Sequence, residues 1–253
     1  MPLVVTDAIV LHAFDYSETS RILRLATREA GVLSVLARGA RRSKRRFGSA
    51  LDLFAEGTIE VLVRDQRDLQ TLCAFDVTHS RPTLASDLGR FAGASALAEL
   101  ILRFATDERQ VSLFDALSRS LDELALAPPD ETREVTLAGA WRLVGELGFA
   151  PSLDSCSACH SDVAVADTLP FSHAAGGVLC ASCASRYPSG RTLPATERAR
   201  LGSWMADERT GKLSDPDSRA HQRLLREFLR EHLAQDRALR AFDMWELAPW
   251  SRA

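Results

Sequence analysis

No phosphate-binding loop of the form Gly-x-x-x-x-Gly-Lys-[Ser/Thr] occurs in this chain, and no Gly-x-Gly-x-x-Gly run follows a strand-like segment. A Gly-x-Ser-x-Gly elbow and a His-Glu-x-x-His helix are also missing. The acidic residues are scattered at the spacing of helix surfaces, and no nucleophile sits beside a base in the pattern. These absences leave nucleotide hydrolysis, dinucleotide redox chemistry and the common hydrolase mechanisms without support, so a non-enzymatic role is expected. A long apolar run is lacking too. The most apolar stretch, Phe91 to Phe104, is interrupted by Glu99 and Arg103 and is too short for a membrane span. The first residues, MPLVVTDAIVLHAF, carry Asp7 and no basic region, unlike a secretory signal. A cytoplasmic, nucleoid-associated protein with reduced thiols is the expectation. With 253 residues the chain suffices for one to three well-buried domains.

Acidic residues are absent between Ala30 and Leu51, and that gap exposes an asymmetry. The net charge is −3, yet residues 1–50 hold nine Arg and Lys against four Asp and Glu. Six cations, Arg38, Arg41, Arg42, Lys44, Arg45 and Arg46, fall within nine positions. Like charges this dense repel one another unless an anion sits among them. A solvated basic face would show the same composition. An anion site is favoured by the lack of interspersed acids and by the element from which the run projects.

That element reads as β. Apolar runs at Leu3–Leu11, Ile22–Ala26 and Val32–Ala37 are followed by alternation at Ile59, Val61 and Val63 and at Leu69, Thr71, Cys73, Phe75 and Val77. A turn is expected at Glu29-Ala30-Gly31. Five short strands in about 75 residues fit an OB-fold barrel, whose class binds single strands, and a small SH3-like barrel would look much the same. Tyr16 and Phe47 are candidates for stacking on bases, although Phe47 fits the barrel core better.

After Pro82 the period becomes helical. One helix is expected from Leu84 to Phe104, and a second through Leu124 with a capping box of Ser112 and Asp115. A third is marked by Val135, Ala138, Trp141, Val144 and Leu147 and ends at Gly148. Helical pattern returns at Ala195–Met205 and Arg219–Leu233. The expected class is α+β multidomain: an N-terminal OB-fold β-barrel over residues 1–80, then an α-helical domain over 81–253 interrupted by a four-cysteine zinc module at 151–191.

Four of the five cysteines form two pairs, Cys156-Ser-Ala-Cys159 and Cys180-Ala-Ser-Cys183, separated by twenty residues. Each pair can present two thiolates from a tight turn, and four thiolates suit tetrahedral Zn2+. Two disulfides are the alternative, and they conflict with a reducing compartment. Four cysteines close the coordination shell and leave no place for an activated water, so the zinc is expected to be structural. Cys156-x-x-Cys159-His160 also matches a haem-attachment pattern, but that reading leaves Cys180 and Cys183 unexplained. His160 and His173 are expected at the surface, and Cys73 in the core.

Taken in order, these features resemble the bacterial RecO family over essentially the whole chain. The resemblance is carried by Gly39-Ala40-Arg41-Arg42-Ser43-Lys44-Arg45-Arg46-Phe47-Gly48 and by Phe171 to Cys183 (FSHAAGGVLCASC). The opening Thr6-Asp7-Ala8-Ile9-Val10-Leu11, followed by Tyr16-Ser17-Glu18-Thr19-Ser20, adds to it. It implies binding of single- and double-stranded DNA, annealing of complementary strands, and partnership with RecR and with the tail of single-stranded DNA-binding protein. The recombinase RecA is thereby loaded without nucleotide hydrolysis. By motif, the zinc ligands are Cys156, Cys159, Cys180 and Cys183, and the DNA-binding segment runs from Arg38 to Arg46. The acidic, apolar-ended partner tail is expected on the helical domain, with Arg133 and Arg142 beside Trp141 as candidates. Family members often carry Leu-Lys-Ser where this chain has Leu239-Arg240-Ala241. The competing functional reading is a zinc-ribbon adaptor whose Arg-rich loop binds an acidic partner protein. A zinc enzyme with a non-obvious site is a further alternative.

Overall fold

The computed structural model describes residues 2–40, 47, 51–64, 67–163, 167–187, 191–208, 210–234 and 238–247. Five strands come first: β1 (Leu3–Asp15), β2 (Arg21–Thr27), β3 (Val32–Ala37), β4 (Glu56–Leu62) and β5 (Leu69–His79). They close into a barrel in the order β1-β2-β3-β5-β4, with β4 pairing back onto β1. Only β3 and β5 run parallel. Closure leaves no free sheet edge, and the Greek-key order is that of an OB-like barrel.

The expected alternation puts Leu23, Leu25, Val35, Ala37, Ile59 and Val61 inside with Ala8 and Val10. On β5 a register shift opposite Glu60 and Val61 reverses the phase, so Leu72 points inward where Thr71 and Cys73 were expected, before Phe75 resumes the expected face. A register shift between Val10 and His12 bends β1, so that one long strand can serve two neighbours. The turn expected at Gly31 is present. Thr27 N donates to Gly31 O at 2.8 Å, and Gly31 has φ 57°. A Cβ there would lie 2.3 Å from Thr106 O, so both the backbone angle and the close approach demand glycine.

Three helices follow: α1 (Pro82–Ser86), α2 (Leu88–Phe104) and α3 (Val111–Leu126). The single helix expected from Leu84 is divided at Asp87. This residue is extended, and its carboxylate accepts from Arg90 N at 2.8 Å as an N-cap. The apolar spacing continues through the break and conceals it. The capping box of Ser112 and Asp115 does not form. Helix α3 begins behind Gln110 without a side-chain cap, and Asp115 instead accepts both guanidinium arms of Arg28, one at 3.0 Å. A bidentate, charge-assisted pair outcompetes a local cap.

Arg81 joins the barrel to these helices. Its side chain is 1% exposed and meets Glu56 at 2.7 Å and Asp122 at 2.5 Å, while Phe54 O accepts at 3.0 Å. Replacing Arg81 with Met is expected to cost about 3 kcal/mol, the lower end for breaking a buried pair, because Asp122 keeps part of its hydration. Denaturant unfolding checks this; a loss below about 1 kcal/mol would remove Arg81 from the role of anchor.

The chain divides into two compact units, residues 1–132 with 240–253, and residues 133–239. The first is completed by the C-terminal helix Arg240–Leu247, which packs Phe242 and Trp245 inward against α2. Glu99 of α2 caps it, accepting from Ala241 N at 2.8 Å and Phe242 N at 3.1 Å.

The second unit starts with most of α4 (Thr132–Val144). A wide turn over Gly145–Phe149 follows, where Gly148 takes φ 87° and ends the helix. A small sheet of β6 (Thr168–Ser172), β7 (Gly177–Val178) and β8 (Arg191–Pro194) was not anticipated. The short α5 (Ala181–Ala184) precedes β8, and α6 (Ala195–Met205) and α7 (Asp215–Leu229) come after it. Helix α7 starts one turn earlier than its apolar period suggests, because Ser214 caps it and Pro216 fits its first turn. Trp141 and Phe171 both pack tilted against Phe228 in the core, with ring centroids 5.3 and 6.4 Å from it. No helix among the described residues is long and apolar enough to cross a membrane.

Candidate metal centre and nucleic-acid interface

The two Cys pairs sit on two turns drawn together by backbone. At the first, His160 N donates to Cys156 O and Cys156 N to Ser161 O, both at 2.8 Å. At the second, Cys180 precedes α5, and Cys183 N donates back to Cys180 O at 3.1 Å. Ser157 locks one turn onto the other: its N and Oγ donate to Val178 O at 2.9 and 3.0 Å. Gly176 and Gly177 make the approach possible. Gly176 has φ 77°, and a Cβ on Gly177 would lie 2.3 Å from Ser152 O. The glycine pair thus lets the chain pass close to Ser152, four residues before Cys156.

All four sulfurs lie within 4.8 Å of one another, so the cluster can hold a metal ion. None is in a disulfide. Cys159 Sγ and Cys180 Sγ are 3.8 Å apart. A tetrahedron with metal–sulfur bonds of ~2.3 Å has an edge of ~3.8 Å, so the donor set fits zinc. The electrostatics agree. Burial opposes ionisation of Cys156, yet N–H groups of Cys180, Ala158 and Cys159 outweigh it and hold the thiol at about 6. Cys183 is pushed up to about 12, first by its hydrogen bonds to the sulfurs of Cys159 and Cys180. Four thiols this close cannot all ionise alone, and a dication removes the conflict. Among the described residues no histidine joins the cluster. His160 is exposed, and His173 instead meets Glu227 at 3.0 Å.

On the barrel, Arg38 is exposed directly after β3, and Gly39 turns the chain with φ 71°. Ala40 packs against the barrel core, and Phe47 is 1% exposed within it. The basic run is thus bracketed by two residues anchored in the barrel. Arg41, Arg42, Lys44, Arg45 and Arg46 lie outside the described residues. Tyr16, 62% exposed in the β1–β2 connection, offers an open ring, whereas Phe47 is core.

The sequence reading missed Arg67. With Arg38 it lines an open groove beside Leu36 and Leu69. Gln70 shapes this β4–β5 loop by accepting from Arg64 N at 2.8 Å and donating to Arg64 O at 3.2 Å. The available signal was Arg64-x-x-Arg67 between two strands, but Asp65 and Asp68 mask it in a charge count. The tail-docking candidates are differently placed. Trp141 is fully buried, Arg142 pairs with Asp207 at 2.6 Å, and Arg133 pairs with Asp215 at 3.0 Å. Cys73 is half-buried rather than fully inside.

Comparison with known proteins gives two family matches. Residues 1–81 match the model described as recombination protein O N terminal, and residues 85–240 match recombination protein O C terminal. The chain is 36% identical over 250 residues to the DNA repair protein RecO of Anaeromyxobacter sp. strain K, covering 96% of each. It is 37% identical over 242 residues to that of Anaeromyxobacter dehalogenans strain 2CP-1, covering 92% of this chain and 93% of the relative. Against that of Myxococcus xanthus the identity is 32% over 231 residues, covering 90% and 92%.

Proposed function

Since the chain belongs to the recombination protein O family of DNA repair proteins, we propose that it is a DNA-binding, non-enzymatic recombination mediator. In this reading residues 1–80 are the DNA-binding domain, and residues 81–253 form a helical domain interrupted by the zinc module at 151–191. It anneals complementary strands. It works with RecR and with the tail of single-stranded DNA-binding protein to load recombinase. The observation that carries this is the closed barrel bearing a basic segment bracketed by Arg38 and Phe47. Arg38, Arg41, Arg42, Lys44, Arg45 and Arg46 neutralise phosphates and so lower the repulsion between two strands brought to one surface. No catalytic group is required, because the bases supply the pairing energy once the strands meet. The contacts are to backbone: a run of long cations with no Asn or Gln within residues 38–48 carries no paired base code.

The metal in this reading is one structural Zn2+ per chain held by Cys156, Cys159, Cys180 and Cys183. Its chemistry is confined to fixing the two turns, since four thiolates fill a tetrahedral shell. X-ray absorption is expected to give four sulfurs at ~2.3 Å; nitrogen or oxygen in the first shell would contradict it.

A mixed-sequence oligonucleotide separates this function from an acidic-partner adaptor. The six cations of this segment contribute about −4 to the slope of log affinity against log salt on a single strand. An adaptor would bind the oligonucleotide weakly and show little of that slope.

A further inference from the structure

Helix α7 carries Arg219, Arg223 and Arg226, and Arg230 follows at its C-cap, the four being spaced by four, three and four residues. At 100° per residue these positions fall within about 60° of one another, a single stripe along the helix. Arg219, Arg223 and Arg230 are exposed, and Arg226 is half-buried. The opposite face is spent on packing: His221, Gln222, Leu224, Leu225, Phe228 and Leu229 are buried. Beyond Leu229 the stripe continues without a break, since Arg230 N still donates to Arg226 O.

The acids of α7 are committed elsewhere. Asp215 pairs with Arg133 at 3.0 Å, Asp217 meets Ser214 Oγ at 2.5 Å, and Glu227 holds Arg191 at 2.5 Å and His173 at 3.0 Å. Among the described residues no carboxylate pairs with Arg219, Arg223 or Arg230. Like charges one turn apart on a helix are mutually unfavourable, so this stripe is a small standing cost to the fold. A polyanion lying along it removes that cost. From Arg219 to Arg230 the helix rises ~16 Å, which matches about five phosphates of a strand stacked at ~3.4 Å per nucleotide.

We propose that the Arg219–Arg230 stripe of α7 is a second phosphate track for DNA, on a different compact unit from the barrel. This rests on the DNA-binding function given above. The occupant is nucleic-acid backbone because the cations form a straight row of near-evenly spaced charge whose length matches a run of phosphates. An acidic peptide would bring anchoring apolar residues as well. Annealing gains directly, since further cations neutralise more phosphate as the two strands meet.

The test compares four full-length proteins on one mixed-sequence single-stranded oligonucleotide: the parent, R219Q/R223Q/R230Q, R219E/R223E/R230E, and the barrel variant R41E/R42E/R45E/R46E. Arg219, Arg223 and Arg230 are exposed, so their substitution leaves thermal unfolding nearly unchanged, and the Gln variant guards against repulsion introduced by Glu. The parent slope is expected near −6, from nine contacts at ~0.7 each, and both α7 variants are expected to lose about 2 from it. Strand annealing slows in both. If the α7 variants keep the parent slope while the barrel variant loses its share, the α7 track is overturned and the barrel site stands. If the parent itself shows no salt-dependent binding, the functional reading fails and takes this proposal with it. A polyglutamate peptide, bound by the parent and lost in the α7 variants with DNA binding intact, would instead reassign the stripe to a protein partner.

Discussion

Replacing Arg41, Arg42, Arg45 and Arg46 with Glu is expected to weaken single-strand binding by about 10²- to 10³-fold at 0.1 M salt. The arithmetic is that of counterion release: each phosphate contact contributes ~0.7 to the salt slope, or about fivefold in affinity at 0.1 M, and four are removed. The loss should be alike for every sequence, because the contacts are to phosphate. Stability should hardly change. The barrel core closes with Phe47, Leu51 and the strand interiors, and charged side chains are almost never fully buried unless paired. Fluorescence anisotropy on oligonucleotides of differing sequence checks both statements. A sequence-dependent loss would mean base readout, and an unchanged affinity would take this segment out of the DNA site.

Removing the metal should have the largest structural effect. Zinc binding supplies on the order of 10 kcal/mol of local folding energy in small finger peptides. Cys159 is the exposed member of the four, so Cys159→Ser disturbs little packing while removing a ligand. In that variant, or under a strong chelator, the turns around Cys156 and Cys180 should lose hydrogen-exchange protection together with β6 and β7. Amides of β1 to β5 should keep theirs, because every residue of their core cluster lies before position 80. Loss of barrel protection would mean that the two units do not fold independently of the metal.

The strands of the barrel were legible because inward and outward residues alternate along most of their length, as at Leu23, Leu25 and Ile59, Val61, whereas the bulge between Leu72 and Phe75 on β5 reverses the phase and left no signal in the spacing. The turn at Gly31 was legible for a local reason too. The order of closure was not, since pairing of β3 with β5 and of β4 with β1 is long-range and leaves no trace in spacing. What stayed hidden had its partner far away. The C-terminal helix takes its cap from Glu99, 142 residues earlier, so the segment Leu239-Arg240-Ala241 offers no start signal of its own. Asp115 looked like half of a capping box until Arg28, 87 residues away, claimed it. The small sheet escaped because β7 has two residues and β8 four, too short to show a period.

For the metal centre, spacing alone named the four cysteines, because a knuckle needs its two thiols three residues apart. Arg67 and the stripe on α7 required the fold. One stands out only where the β4–β5 loop meets Arg38, and the other only once the opposite face of its helix is seen to be buried.

The most direct test of the central claim is annealing of two complementary oligonucleotides, with and without a coat of single-stranded DNA-binding protein, in the absence of any nucleotide. The account predicts that the parent accelerates annealing in both settings, that rising salt abolishes the effect, and that R41E/R42E/R45E/R46E fails in both. Annealing that needs a nucleotide, or that the quadruple variant performs as well as the parent, would contradict it.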